Sequence, residues 1–252
     1  MAKASVDYEQ RGVGYARHRQ ADPRIASAIW AALGDARTVV NVGAGAGSYE
    51  PVDRHVIAVE PSAAMRAQRP QSAAPCVSAR AEKLPFKNKA FDAAMASVTV
   101  HHWDPHEVGL RELRRVASGP VVVFTFDMAY LPAWQLDHLG EALVIEEPRF
   151  PSIEEVAAGL GGRVRIEHLP TPADCSDGFF EAYWQRPEAM LDPAVRASQS
   201  LWALLDPGVE DRIVERLARD LESGEWDRRH GHLREMNSYD GGLRLVISES
   251  GD

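Results

Sequence analysis

Three glycines at alternate positions, Gly43, Gly45 and Gly47 in TVVNVGAGAGSYE, follow directly on an apolar run and precede a segment that reads as a short helix. Without a Cβ to block approach, such a backbone turns tightly and brings its amides against a ligand. The next apolar run, in RHVIAVEPS, ends on Glu60, whose carboxylate can accept both hydroxyl hydrogens of an adenosine ribose. Further along, His101 and His102 stand side by side in TVHHWD. Imidazole titrates near neutrality, so either ring could accept a proton at working pH. Alone, each feature also fits a structural turn or a solvated strand end; together they favour a nucleoside-bearing ligand beside a proton-transfer group.

Such groups need a frame. Thr38 to Val42, His55 to Glu60, Pro75 to Ser78, Phe91 to Val98 and Pro120 to Phe126 are apolar runs of strand length, and the segments around 23 to 34, 62 to 68 and 105 to 118 carry helical periodicity. Strand, helix, strand at this spacing predicts a doubly wound parallel sheet covered on both faces. Ligands of such sheets lie beyond the carboxyl ends of the strands, where the glycine loop, Glu60 and the histidine pair all fall. After Phe126 the rhythm changes. Helices are predicted over 128 to 145, 152 to 160, 177 to 186, 188 to 205 and 209 to 222, with Ser152 and Glu155 reading as a capping box. Arg163 to Leu169 reads as an edge strand, and Leu243 to Ser248 as a last strand whose direction the pattern leaves open.

Dinucleotides and S-adenosylmethionine are both held by a glycine loop and an acidic strand end. The dinucleotide fingerprint is G-x-G-x-x-G, whereas here the spacing is G-x-G-x-G with Ser48 following, which favours a ligand without a pyrophosphate. The chain continues VSARAEKLPFKNKAFDAAMASVTVHHW. From Val39 through Phe126 it resembles the class I S-adenosylmethionine-dependent methyltransferases of the type 11-like group: a glycine loop, an acidic second strand, an A-E-x-L-P-F stretch and then F-D. The resemblance implies a Rossmann-like α/β fold, with a seven-stranded, mostly parallel sheet in three layers and a helical insertion between late strands. On that reading residues 1–252 form a single methyltransferase domain, within which 128–205 are a helical substrate cover.

Carried over by position, the resemblance puts Gly43, Ala44, Gly45 and Gly47 along the methionine and ribose side of S-adenosylmethionine, and Glu60 on the ribose hydroxyls. Pro61 and Met65 would lie near the adenine, with Ala81 and Glu82 matching an A-E pair that contacts the base. Ser97 would sit near the methionyl part, and Tyr15 and Arg19 would close over the amino-acid end. Two positions depart from the family pattern. Asn41 stands where Asp is usual, so it can organise the loop but offers the cofactor's ammonium no formal charge, and Ala44 stands where Cys or Ser is common.

Methyl transfer from a sulfonium is an in-line displacement, to which a protein contributes mainly positioning and removal of water. A general base helps where the acceptor is a hydroxyl or carbon acid, and His101 and His102 are the candidates. Packing beside the cofactor is their plainer role. No metal is expected, because adjacent histidines with Asp104 and His106 nearby lack a ligand spacing. Acceptor contacts are expected from the aromatic late segment: Tyr130, Trp134, Phe179, Phe180, Tyr183 and Trp184, with Trp226 and Tyr239 later and Asp127 at a strand end. Large aromatics also seek burial in their own right. These features predict a small, partly apolar acceptor methylated on oxygen or activated carbon. The alternatives are methylation of nitrogen or of RNA, an NAD-dependent oxidoreductase, and a cofactor-binding protein without turnover.

Composition narrows the field. The chain has 252 residues, 28 Lys+Arg against 37 Asp+Glu, and a net charge of -9, which offers no general attraction for nucleic acid or an anionic membrane. With 45% hydrophobic and 26% charged residues it reads as globular. Cys76 and Cys175 form no disulfide or metal pattern, the start lacks a signal-peptide core, and the longest apolar run, 119 to 126, is too short to span a bilayer. A cytoplasmic protein with no membrane association is the expectation, its oligomeric state left open.

Overall fold

The structure, a computed structural model, describes residues 19–249. Tyr15 lies outside them. Helix α1 (Pro23–Ala32) begins where Asp22 caps the Arg24 amide at 2.9 Å with proline in the first turn, and it buries Ile25, Ile29 and Ala32. Strands β1 (Thr38–Val42) and β2 (His55–Val59) follow, then α2 (Ala63–Ala67), capped by Ser62, and the short β3 (Cys76–Val77). Strand β4 (Ala93–Ser97), α3 (His106–Val116) and β5 (Val121–Phe126) complete the alternating half. Every residue of β5 is buried, as expected of a parallel strand covered on both faces.

Beyond β5 come α4 (Ala133–Glu146), α5 (Ile153–Leu160) and the edge strand β6 (Val164–His168). The capping box forms as read: Ser152 accepts from the Glu155 amide at 3.1 Å while Glu155 accepts from the Ser152 amide at 2.7 Å. Helices α6 (Pro193–Ala197), α7 (Val209–Glu222) and α8 (Glu225–His230) precede β7 (Leu243–Ser248). The sheet order is β3-β2-β1-β4-β5-β7-β6. The five strands of the first half run parallel, and β7 slots antiparallel between β5 and β6, with Val121 opposite Ser248 and Phe126 opposite Leu243. This is the seven-stranded, mostly parallel, Rossmann-like sheet that the pattern and the resemblance led us to expect.

Two apolar clusters fill the two faces. One gathers α1, Phe124, Phe126 and the aromatic residues of the late segment; the other gathers Val40, Val42 and Ala96 with α3 and α5. The long helices predicted over 177 to 186 and 188 to 205 are instead broken into 3-10 turns at Phe180–Tyr183, Pro187–Leu191 and Leu201–Leu204, with only α6 between them. Pro187 and Pro193 account for much of this, since each lacks an amide hydrogen and bars the preceding residue from helix. Among the described residues, no helix is long and apolar enough to cross a membrane.

Candidate cofactor and acceptor site

The carboxyl ends of β1, β2, β4 and β5 meet along one edge of the sheet. After β1 the backbone passes through left-handed conformations at Gly43 (φ 70), Gly45 (φ 51) and Gly47 (φ 103). Gly43 has a second reason to lack a side chain: a Cβ there would stand 2.1 Å from Thr99 Oγ1, on the loop that follows β4. The Gly43 and Ala44 amides donate to the Val59 carbonyl at 2.9 and 3.0 Å, pinning the loop to β2.

Glu60 is buried just past β2. Its carboxylate accepts from the Gly45 amide at 2.9 Å and from the Ser62 amide at 2.8 Å, tying the glycine loop to the start of α2. An ionised carboxylate has about four acceptor positions, so these two bonds leave capacity for further donors. Met65 is buried with its terminal methyl against Gly45, Pro61 is exposed, and its carbonyl takes a bond from Arg66. Ala81 is buried, while Glu82 accepts from the Asp104 amide at 3.0 Å, so its carboxylate fixes the turn leading into α3.

Among the described residues, Asn41 Oδ1 and Ser97 Oγ near this edge are buried without a hydrogen-bond partner. Asn41 lies opposite Met95, two positions before Ser97 on β4, so Asn41 and Ser97 share a face of the sheet. Such atoms are rare in native interiors unless something else satisfies them. The other end of Asn41 donates to Glu50 at 3.2 Å, and Glu50 pairs with Arg69 through two contacts of 2.9 Å in a nearly dry setting. Arg69 also donates to the Gly45 and Ala74 carbonyls. Glu50 and Arg69 thus brace the glycine loop. Both escaped the sequence reading, although Glu50 directly follows the loop in SYE.

A pocket of about 510 Å³, including its open mouth, lies beside the loop after β4. Its apolar walls include Phe126, Phe150, Phe179 and Phe180; its polar lining includes Arg19, His101, His102, Glu146 and Glu181. Val98, also in the wall, is held at φ 51, which is costly for a β-branched residue and marks the loop as over-determined by its surroundings. His101 stacks on Phe150 at 4.2 Å, and the rings of His101 and His102 are 3.9 Å apart.

His102 is set by a chain of contacts. Ser200 donates to Glu146 at 3.1 Å, Arg149 pairs with Glu146 at 2.5 Å, and Arg149 lies 3.0 Å from His102 Nδ1. Arginine only donates, so Nδ1 is the acceptor and the ring proton sits on Nε2. Enclosure, followed by the charges of Arg149 and Arg19, pushes the His102 imidazolium down to about 3. This corrects the reading of His102 as a general base: near neutral pH it is a neutral ring of fixed tautomer and a very weak base. Arg19 does reach the pocket, and its guanidinium pairs with Asp177 at 2.6 Å.

Asp127, Tyr130, Trp134, Tyr183 and Trp184, expected to touch the acceptor, are not among the residues that line this pocket. Trp134 and Trp184 are fully buried in the core, the Trp134 indole donating to the Trp184 carbonyl at 2.6 Å and packing edge-on against Trp226. Tyr183 is buried outside the pocket lining, next to Arg186. Tyr130 is 43% exposed beneath the Arg244 guanidinium, and Asp127 caps the short turn Met128–Tyr130. Phe179 and Phe180, singled out with them, do line the pocket. Among the described residues no group of three or more metal-ligating side chains gathers.

A glycine cradle, an acidic strand end tied into it and a separate aromatic-walled pocket on the same edge define a protein that brings a nucleoside-bearing cofactor to a second ligand. A family model described as a methyltransferase domain matches residues 40–122. A solved structure from Anabaena variabilis, described as a methyltransferase from an antibiotic biosynthesis pathway, is 30% identical, with a TM-score of 0.86 over 92% of this chain and 98% of its own. A second, an S-adenosylmethionine-dependent methyltransferase from Thermotoga maritima, is 26% identical with a TM-score of 0.53, covering 63% of this chain and 81% of that one. The fold is also shared with geranyl diphosphate C-methyltransferase from Streptomyces coelicolor, at 17% identity and a TM-score of 0.53 over 90% of this chain and 79% of that one. No curated protein matches the chain. The chain belongs to the S-adenosylmethionine-dependent methyltransferases, and S-adenosylmethionine is its methyl donor.

Proposed function

We propose that this enzyme methylates an oxygen or an activated carbon of a small, partly apolar acceptor seated in the aromatic-walled pocket, with residues 128–205 serving as its cover within one methyltransferase domain. The observation that carries this reading is the pocket itself, closed by Leu143, Phe150, Phe179 and Leu201 from the late segment and opening beside the loop after β4. The Anabaena relative's description as part of an antibiotic biosynthesis pathway supports a small-molecule acceptor of the same kind.

The residues on the sheet edge fit S-adenosylmethionine. Gly43, Ala44, Gly45 and Gly47 would lie along it, and the unused acceptor capacity of Glu60 would take the ribose hydroxyls. Asn41 Oδ1, without a partner among the described residues, is a neutral acceptor suited to an ammonium, and Ser97 Oγ would serve the same end of the molecule. Met65, Pro61, Ala81 and Glu82 would border the adenine. When bound, the cofactor supplies an electrophilic methyl group. The chain's own contribution is to hold the acceptor against that methyl, to exclude water through Phe126, Phe150 and Phe179, and to present His101 and the neutral His102 to the acceptor's polar atoms.

The test is methyl transfer from labelled S-adenosylmethionine to phenols, 1,3-dicarbonyls, amines and RNA transcripts. Product from the phenols or dicarbonyls is expected. Product confined to amines or to RNA would replace this reading.

A further inference from the structure

Glu181 lies on the turn Phe180–Tyr183, is 4% exposed, and lines the acceptor pocket. The other buried acids around it are neutralised: Glu146 by Arg149 and Ser200, Asp177 by Arg19 and the Tyr49 hydroxyl. Glu181 differs. Among the described residues, none apart from its own backbone amide donates a hydrogen bond to its carboxyl, and none forms a salt bridge with it. An unpaired carboxyl in a dry, aromatic wall disfavours folding in its ionised form, so packing gives no reason for its presence. A group of this kind aimed into a ligand cavity is a candidate for chemistry.

We propose that Glu181 is the proton acceptor of the methyl transfer, its carboxylate taking the proton from the acceptor's hydroxyl or acidic C–H. The inference rests on the small-acceptor reading above. The acceptor's X–H bond breaks and its proton passes to a Glu181 oxygen. The freed pair forms the X–CH3 bond, and the CH3–S bond breaks with its pair remaining on sulfur, which loses its positive charge. The carboxylic acid then returns its proton to solvent.

Burial pushes the Glu181 carboxyl up to about 8, with its own backbone amide and Arg19 drawing it down and Glu146 and Asp177 adding to the rise. His101 and His102 line the same pocket, His102 as a neutral ring. A base titrating there is matched to a phenol or enol, as the far weaker His102 is not.

The test uses the full chain with Glu181→Gln and Glu181→Asp. In infrared difference spectra the wild type should show a protonated carboxyl that ionises near pH 8 and is missing from Glu181→Gln. With labelled S-adenosylmethionine and catechol or acetylacetone as acceptors, Glu181→Gln should lose about 100-fold or more in kcat, with Glu181→Asp intermediate and cofactor affinity unchanged in both. Persistence of the carboxyl signal in Glu181→Gln, or a kcat within about 3-fold of wild type, would overturn the proposal. If wild type methylates neither probe, the small-acceptor reading fails there and the infrared titration alone decides for or against Glu181.

Discussion

The Tyr49 hydroxyl donates to Asp177 Oδ2 at 2.8 Å, joining the end of the glycine loop to the segment that walls the acceptor pocket. Asp177 also receives Arg19 on its other oxygen, and Tyr49 holds a left-handed backbone at φ 65. The glycine loop and the segment that lines the aromatic pocket therefore share one buried carboxylate. Tyr49→Phe removes a single buried hydrogen bond and should cost about 1 kcal/mol in urea unfolding. Asp177→Ala strands both donors and should cost about 3 to 5 kcal/mol. Both should weaken cofactor binding in calorimetry, the second more than the first.

Gly43 and Gly45 both sit at positive φ, yet their substitutions should differ. A Cβ on Gly43 runs into Thr99 Oγ1 at 2.1 Å, whereas one on Gly45 meets only the flexible end of Met65 at 3.3 Å. Gly45→Ala should cost about 1 to 2 kcal/mol for its backbone alone. Gly43→Ala must in addition displace the loop after β4. Thermal melts should place it clearly below Gly45→Ala, with a greater loss of cofactor affinity.

The state of His102 can be read from pH. Its imidazolium is pushed from 6.5 down to about 3, first by enclosure and then by Arg149 and Arg19. Between those values the unfolded chain binds a proton that the folded chain refuses. The stabilisation is therefore complete above pH 6.5 and lost as pH falls toward about 3. His102→Gln, whose amide oxygen can still accept from Arg149, should flatten this part of the curve of Tm against pH. Nitrogen chemical shifts of the wild type should show a neutral ring carrying its proton on Nε2.

Glu181 acts in the opposite direction. Its folded carboxyl is raised from 4.5 to about 8, so folding takes up a proton in that interval and stability declines as pH rises through it. Glu181→Gln should gain in Tm over wild type as pH passes from 4.5 to 8, the gain levelling off above. An unchanging difference across the range would contradict a raised carboxyl.

Pocket and core aromatics should separate cleanly. Trp184 is fully buried in the core, so Trp184→Ala should cost about 3 to 5 kcal/mol in unfolding experiments. Phe150 stacks on His101 in the pocket wall and is partly open, so Phe150→Ala should shift acceptor selectivity at a smaller cost in stability.

What could be read before the fold was known was the part whose partners are near in the chain. The Gly43 to Gly47 loop, Glu60 and the alternating strands announce themselves through glycine spacing and apolar runs, and Glu60 indeed ties to Gly45 and Ser62. The A-E-x-L-P-F stretch is legible too, although part of its role is packing: Glu112 and Arg115 of α3 hold the Leu84 and Phe86 backbone. The acceptor side was less legible, because its contacts join distant segments, 128 positions apart for Tyr49 and Asp177 and 47 for Arg149 and His102. Residue size also misled. Trp134 and Trp184 have the surface of ligand-binding aromatics, but here they fill the core while the neighbouring Phe179 and Phe180 face the pocket.

The central claim is that the Gly43 to Gly47 cradle and Glu60 hold the methyl donor, and calorimetric titration with S-adenosylmethionine tests it most directly. Wild-type protein stripped of cofactor should bind S-adenosylmethionine saturably and NAD not at all. Glu60→Gln, checked for folding, should bind at least about 10-fold more weakly, a loss of about 1.4 kcal/mol or more. Unchanged affinity in Glu60→Gln, or a preference of the wild type for NAD, would contradict the account.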